Sequence, residues 1–185
     1  MAVKITVDKM ADIIKAISEL GAKDVLVGIP DSAPEREDGP ISNAQIGYIQ
    51  ETGSPANNLP ARPFLVPGVA EVQGKCAERL KKGATAALSG NLSGAESSLN
   101  AAGLTAQNSV KAKINSNIAP ELSPETIRNR NKSRKTKSLR KSEKDYLKAL
   151  DSGTSAADAQ SAAGIVSLIN TGQLRNSITF VVRKK

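Results

Sequence analysis

Along the N-terminal third, apolar and polar positions change period twice. Val3, Ile5 and Val7 alternate with polar residues, the period-two signature of a half-buried strand. Asp8 offers an N-cap oxygen, and Met10, Ile13, Ile14, Ile17 and Leu20 then recur at helical spacing, with Gly21 as the stop. Residues 24–29 (DVLVGI) read as a second strand, which Pro30 ends because proline cannot donate to a ladder. Residues 31–41 form a charged loop with proline and glycine. Ser42 or Asn43 caps a short helix carrying Ile46 and Ile49, ended by Gly53. Three prolines in residues 54–63 predict an extended, ordered connection.

Pro67 suits the first turn of a further helix with Val69, Val72, Cys76, Leu80 and Ala84 on one face. Beyond Ser89-Gly90, the series Leu92, Ala95, Leu99, Ala102, Ala106, Val110 and Ile114 predicts a long helix. Its alanines allow another helix to approach closely. Ser123-Pro124-Glu125 is a helix start. The i to i+4 pairs around Glu143 and Asp145, such as Lys141 with Asp145, favour a helix over residues 141–150. Residues 151–163 are a small-residue stretch with weak helical character. Thr171-Gly172 turns the chain and aims Leu174 and Ile178 inward, with Arg175 pointing elsewhere. Ile178, Phe180 and Val182 then alternate as a final strand. This order predicts an α+β fold: a small antiparallel or mixed sheet of N-terminal strands plus the C-terminal strand, packed with several helices.

Charge divides the chain differently from hydropathy. Residues 1–127 carry 12 Lys/Arg and 14 Asp/Glu, a balance of −2. Residues 128–185 carry 14 and 4, a balance of +10. We therefore expect an α+β body of residues 1–127 and 164–185, interrupted by a basic, partly helical or flexible insertion at 128–163. Its densest run, RNRNKSRKTKSLRK, holds Arg128, Arg130, Lys132, Arg134, Lys135, Lys137, Arg140 and Lys141. Such a run contacts nucleic acid phosphates, meets an acidic patch on a neighbouring subunit, or is simply a solvated loop. No aromatic residue is interleaved within it to stack bases.

Composition narrows the chemistry. The aromatic residues are Tyr48, Phe64, Tyr146 and Phe180, so the core must be aliphatic and thin, a condition that an oligomer interface relieves. The absence of histidine removes the commonest general base and metal ligand. With Cys76 as the one cysteine, neither an intramolecular disulfide nor a thiolate cage can form. Cys76 itself lies in an apolar helical pattern and reads as a small core residue, with a reactive thiol as the alternative. No Gly-rich phosphate loop is present, and Glu35, Glu37 and Asp38 sit in a proline- and glycine-containing loop that reads as solvated. The expectation is a protein that is not an enzyme and needs no cofactor. No stretch approaches the length of a membrane span.

Two segments carry more than periodicity: residues 46–67 (IGYIQETGSPANNLPARPFLVP) and 167–182 (SLINTGQLRNSITFVV). Between them lies Leu122-Ser123-Pro124-Glu125-Thr126. Together they resemble the neck or tail-completion proteins of long-tailed bacteriophages, the head–tail joining and minor tail protein Z-like group. The family's Pro-x-Arg-Pro-Phe-Leu segment stands here as Pro60 to Leu65. Its Leu-Ile-x-Thr-Gly-x-Leu-x-x-Ser-Ile stands as Leu168 to Ile178. Where the family often has a histidine before the glycine, this chain has Tyr48-Ile49-Gln50-Glu51. The resemblance implies a structural virion protein assembled in the host cytoplasm, a ring of six or twelve copies. Its partners would be the tail terminator and tail tube on one side and the head connector or adaptor on the other, with genome DNA in the channel. Arg62, Phe64, Leu65 and Arg175 are then the candidate partner or ring contacts. Arg62 between two prolines is an ion-pair anchor or a snorkelling surface residue, and Phe64 equally suits core packing. The rival reading is a basic, non-specific nucleic-acid-binding module, which accounts for residues 128–148 but leaves PARPFL and TGQLRNSI unexplained.

Overall fold

A computed structural model describes residues 10–30, 41–132 and 136–185. The strand expected at Val3–Val7, its neighbour Asp8, the loop at 31–40 and the basic residues Arg134 and Lys135 lie outside the described residues. In chain order the elements are α1 (Met10–Gly21), β1 (Lys23–Gly28), α2 (Asn43–Thr52), a 3₁₀ turn (Pro55–Asn57), α3 (Leu65–Ala70), α4 (Gln73–Leu88), α5 (Leu92–Asn115), α6 (Pro124–Asn129), α7 (Lys141–Asp151), α8 (Ala156–Ala162), α9 (Gln173–Ser177) and β2 (Thr179–Lys184). The fold is α+β as expected, mostly helical, with β1 and β2 paired as a small antiparallel sheet.

Packing divides the described residues into two units. The first takes its residues from 1–28, Val69–Ser109 and Thr179–Lys185. Register pairs Val25 with Val182 and Val27 with Phe180, so these four side chains share one face of the ribbon. Phe180 lies over Gly103 of α5, where a Cβ would come 2.2 Å from its ring. Glycine is therefore required there for close approach. Leu26 and Val181, paired on the opposite face, are exposed. Ala16 of α1, Ala87 of α4 and Ala95 of α5 form a small apolar cluster with Leu20 and Ala86 against it. The apolar face foreseen for α1 is covered on one side only: Ala16 is buried while Met10, Ile14 and Ile17 are exposed. The α4 stripe shifts likewise, with Leu80 exposed and Gly83 and Ala87 buried.

The second unit takes its residues from Ile29–Gly68 and Val110–Ile178. Ser42 caps α2 by a reciprocal capping box with Gln45, which decides between the two expected caps. Gly53 ends α2 at φ 76°, a left-handed value that favours glycine. Ser123 caps α6 with Pro124 in its first turn, and Ser155 caps α8. Leu122, Ile127, Tyr146, Ala159 and Ile165 form this unit's apolar cluster, with Leu147, Ala149, Leu150 and Ala163 packed on it.

Packing thus draws its boundary elsewhere than charge does. The described residues of 128–163 pack within the second unit: α7 and α8 supply Tyr146 and Ala159 to a cluster that also holds Leu122 and Ile165. Apolar residues are sparse in this stretch, but helical geometry gathers them on one side and turns the lysines outward.

Candidate functional site

The segment 60–65 is fixed at both of its ends. Pro60 and Pro63 each set φ, and the Arg62 backbone N–H donates to the Gln50 carbonyl at 2.7 Å. The Glu51 carboxylate accepts from the backbone N–H groups of Phe64 (2.7 Å), Leu65 (2.8 Å) and Val66 (3.0 Å). These are orphan donors at the start of α3, and a carboxylate there also meets the positive end of the helix dipole.

Arg62 is only 5% exposed. Its Nε donates to the Pro120 carbonyl at 2.8 Å and its Nη2 to the Glu121 carbonyl at 3.1 Å. Burial pulls its pKa below the ordinary arginine value, and the nearby Glu121 carboxylate opposes that shift. Arg62 is an anchor, then, but one that holds backbone carbonyls rather than a side-chain carboxylate. Phe64 is 1% exposed; its ring and Leu174 lie beside Gly47 of α2. Both side chains are turned into the second unit and away from its surface. The reason is physical: the fork of Arg62 is consumed by two carbonyls, and Phe64 is one of very few large side chains available to the interior. Leu65 is half-buried.

A second set of side chains fixes the segment that follows. Leu122 is held on both sides: its N–H donates to Gln160 Oε1 at 2.8 Å, and its carbonyl accepts from the Tyr146 hydroxyl at 2.8 Å. Gln160 Nε2 donates to Asn117 Oδ1 (2.8 Å) and to Ser167 Oγ (3.0 Å). Asn117, itself at a left-handed φ of 56°, also accepts from the Ser167 N–H and hydroxyl, each at 3.0 Å. The buried amide of Gln160 is thereby fully used. Asn117 and Gln160 did not stand out in the sequence, and Glu51 and Ser167 entered only as members of the two resembling segments. A single amide in a small-residue stretch has no spacing signature; the available signal was a glutamine among alanines.

The TGQLRNSI segment turns at Gly172 (φ 82°) into α9 and buries Leu174 and Ile178, as its pattern predicts. Arg175 donates to Asn115 Oδ1 at 3.1 Å and is half-buried. A cleft of about 160 Å³ lies between this segment and α2, lined by Ile46, Gln50, Asn170, Thr171, Gln173 and Leu174 among others. The side-chain oxygens of Gln50 and Gln173 are buried and accept no hydrogen bond.

The basic run separates into tied and free cations. Arg140 donates from Nη1 to the Asn170 carbonyl at 2.9 Å, and its backbone N–H is held by Glu143 at 2.8 Å. Arg130 makes a longer 3.4 Å contact to the Ser167 carbonyl. Both reach the segment carrying the C-terminal motif. Arg128, Lys132, Lys137 and Lys141 are exposed. Among the described residues no cluster of His, Cys, Asp and Glu could hold a metal ion, and no helix is long and apolar enough to cross a membrane. The chain matches no protein-family model, no curated protein and no solved structure.

Proposed function

We propose that this chain is a structural subunit of the neck of a long-tailed bacteriophage, a tail-completion ring component that joins the tail to the head connector. One observation carries the reading. The three sequence blocks that resemble that family lie far apart in the chain, yet side chains knit them together within one unit. Arg62 grips the carbonyls just before Leu122. Gln160 bridges Leu122 to Ser167. Phe64 and Leu174 both pack at Gly47. Short motifs that coincide by chance have no reason to share one hydrogen-bonded scaffold.

In this reading the motifs act inside the subunit, holding a rigid shape on which partners assemble. Contact with the tail terminator, tail tube or connector then falls to side chains that the scaffold turns outward. Tyr48 on α2 is 71% exposed and Val66, directly after PARPFL, is 68% exposed. A large exposed aromatic side chain such as Tyr48 is a typical interface anchor. No catalytic step is involved; association into a ring and onto the tail axis is the function.

The test is to image assembled particles and to run native mass spectrometry on the purified protein with tails. Density for this chain between tail and head, and a ring of six or twelve copies, is the expected result. A strictly monomeric protein that binds neither tails nor connectors overturns the reading. Particles carrying Tyr48→Ala with Val66→Asp should accumulate as separate heads and tails.

A further inference from the structure

The free cations of the basic run continue onto α7. Lys141, Lys144 and Lys148 follow one another at steps of three and four residues and all are exposed. The opposite side of the same helix is buried through Glu143 and Tyr146. The three lysines therefore form one outward stripe, spanning about 10 Å at the helical rise of about 1.5 Å per residue. Asp145 is the one carboxylate within this stripe's span that is exposed, and Asp151 ends the helix. Arg128, Lys132 and Lys137 precede the stripe in the chain and are likewise exposed. Arg130 and Arg140, whose planar forks suit specific recognition, are turned to the carbonyls of Ser167 and Asn170 instead.

We infer that this lysine-rich face of α7, with Arg128, Lys132 and Lys137, binds duplex nucleic acid through its phosphates without reading sequence. Three features decide the ligand class. The free cations are mostly lysines, compact point charges that meet phosphates without demanding bidentate geometry. The aromatic ring on α7 is not available for stacking: Tyr146 is fully buried, with its hydroxyl on the Leu122 carbonyl. That disfavours single strands, whose binders combine cations with aromatic platforms. Finally, a stripe about 10 Å long matches about three phosphates of one strand at about 3.4 Å spacing along the duplex axis. This inference stands on the exposed cations alone and does not rest on the neck reading.

The experiment is fluorescence anisotropy of the full chain with a labelled mixed-sequence duplex of about 30 base pairs, titrated from about 50 to 200 mM salt. The six exposed cations named above, all among the described residues, set the scale: the log–log slope of affinity against salt should lie at about −3 to −5. The Lys141→Gln/Lys144→Gln/Lys148→Gln variant should lose about 2 to 3 units of that slope while keeping its melting temperature. Lys75→Gln/Lys81→Gln/Lys82→Gln on α4 removes the same charge elsewhere and should leave the slope nearly unchanged. Absence of binding at low salt, or an equal loss in the α4 control, overturns the inference. Tighter binding to oligo-dT than to the duplex overturns it as well. So does equal affinity for poly-glutamate, which would assign the face to an acidic protein partner.

Discussion

The two units draw on the same small stock of apolar side chains and use opposite means to hold together. In the first, backbones approach closely over small residues: Phe180 lies on Gly103, Gly83 faces Ser98, and Ala16, Ala87 and Ala95 fill the gap between helices. Among the described residues its long-range ion pairs, Lys23 to Glu96 and Lys185 to Asp24 at 3.4 Å, join side chains to each other and not to the backbone. In the second, side chains reach into the backbone of distant segments: Arg62 to residues 120 and 121, Glu51 to residues 64–66, Gln160 and Tyr146 to Leu122. The difference teaches how a chain poor in large hydrophobes fixes irregular structure. Helices can pack on alanine and glycine, whereas loops such as 54–63 and 116–123 need polar side chains to satisfy their unpaired backbone groups.

The largest break in that contrast should come from Gln160→Leu. The substitution keeps volume but leaves the Leu122 N–H without its acceptor and removes the donor to Asn117 and Ser167. Each orphaned buried group costs about 1–3 kcal/mol, so a loss of about 3 kcal/mol or more is expected in urea denaturation. Hydrogen exchange should localise the loss to the second unit, around residues 117–122 and 160–167. Equal loss of protection in α4 and β1 would erase the distinction between the units.

The converse test is Gly103→Val in the first unit. A Cβ at this position falls 2.2 to 2.9 Å from three ring atoms of Phe180. The ring must move or the ribbon must shift, and overpacking of this kind costs about 1–3 kcal/mol. A second change, Phe180→Leu, should recover part of the loss by making room, which denaturation of the double variant reads directly. Failure to recover would mean that the ring is not what the new side chain meets.

How much of this could be read from the sequence follows the same divide. From Ala95 through Leu99, Ala102, Ala106 and Val110 to Ile114 the stripe is buried along α5 as its period predicts, because helical spacing fixes a face, while Leu92 at its start is exposed. Periodicity did not tell which part of a wide stripe is covered: Met10, Ile14 and Ile17 match the helical pattern as well as Ala16 does, yet they face outward. Caps and turns at Ser42, Gly53, Ser123 and Gly172 were legible because their chemistry is local. The polar scaffold was not, since Asn117, Gln160 and Ser167 meet across 43 and 50 residues with no pattern to announce it. Charge misled for a related reason. Nine basic residues between positions 128 and 144 mask the few apolar side chains that tie this stretch to Leu122 and Ile127. For Arg62 the prolines on either side left an ion-pair anchor and a snorkelling surface residue open, and neither foretells the two backbone carbonyls that it holds.

The smallest expected effect separates the units by pH. Burial, reinforced by the Glu121 and Glu125 carboxylates, raises the Tyr146 pKa above its ordinary value of about 10. A raised folded-state value means that the neutral phenol is favoured by folding. Its contribution is complete below about pH 10 and is lost as pH climbs through the folded-state value. In the first unit the Lys23 ammonium, by hydrogen bond and then by charge, holds Glu96 below the ordinary carboxylate range. That contribution is present above about pH 4.3 and is lost as pH falls through the lowered value. Tyr146→Phe should cost about 1 kcal/mol at neutral pH through the lost bond to Leu122 and flatten the alkaline limb of the stability profile. Glu96→Gln should leave the alkaline limb alone and flatten only the acid one. Measured by urea denaturation across the pH range, two variants that act on opposite limbs would mark each unit by the end of the scale at which it weakens. An unchanged alkaline limb in Tyr146→Phe would remove the hydroxyl on Leu122 from the forces that distinguish the second unit.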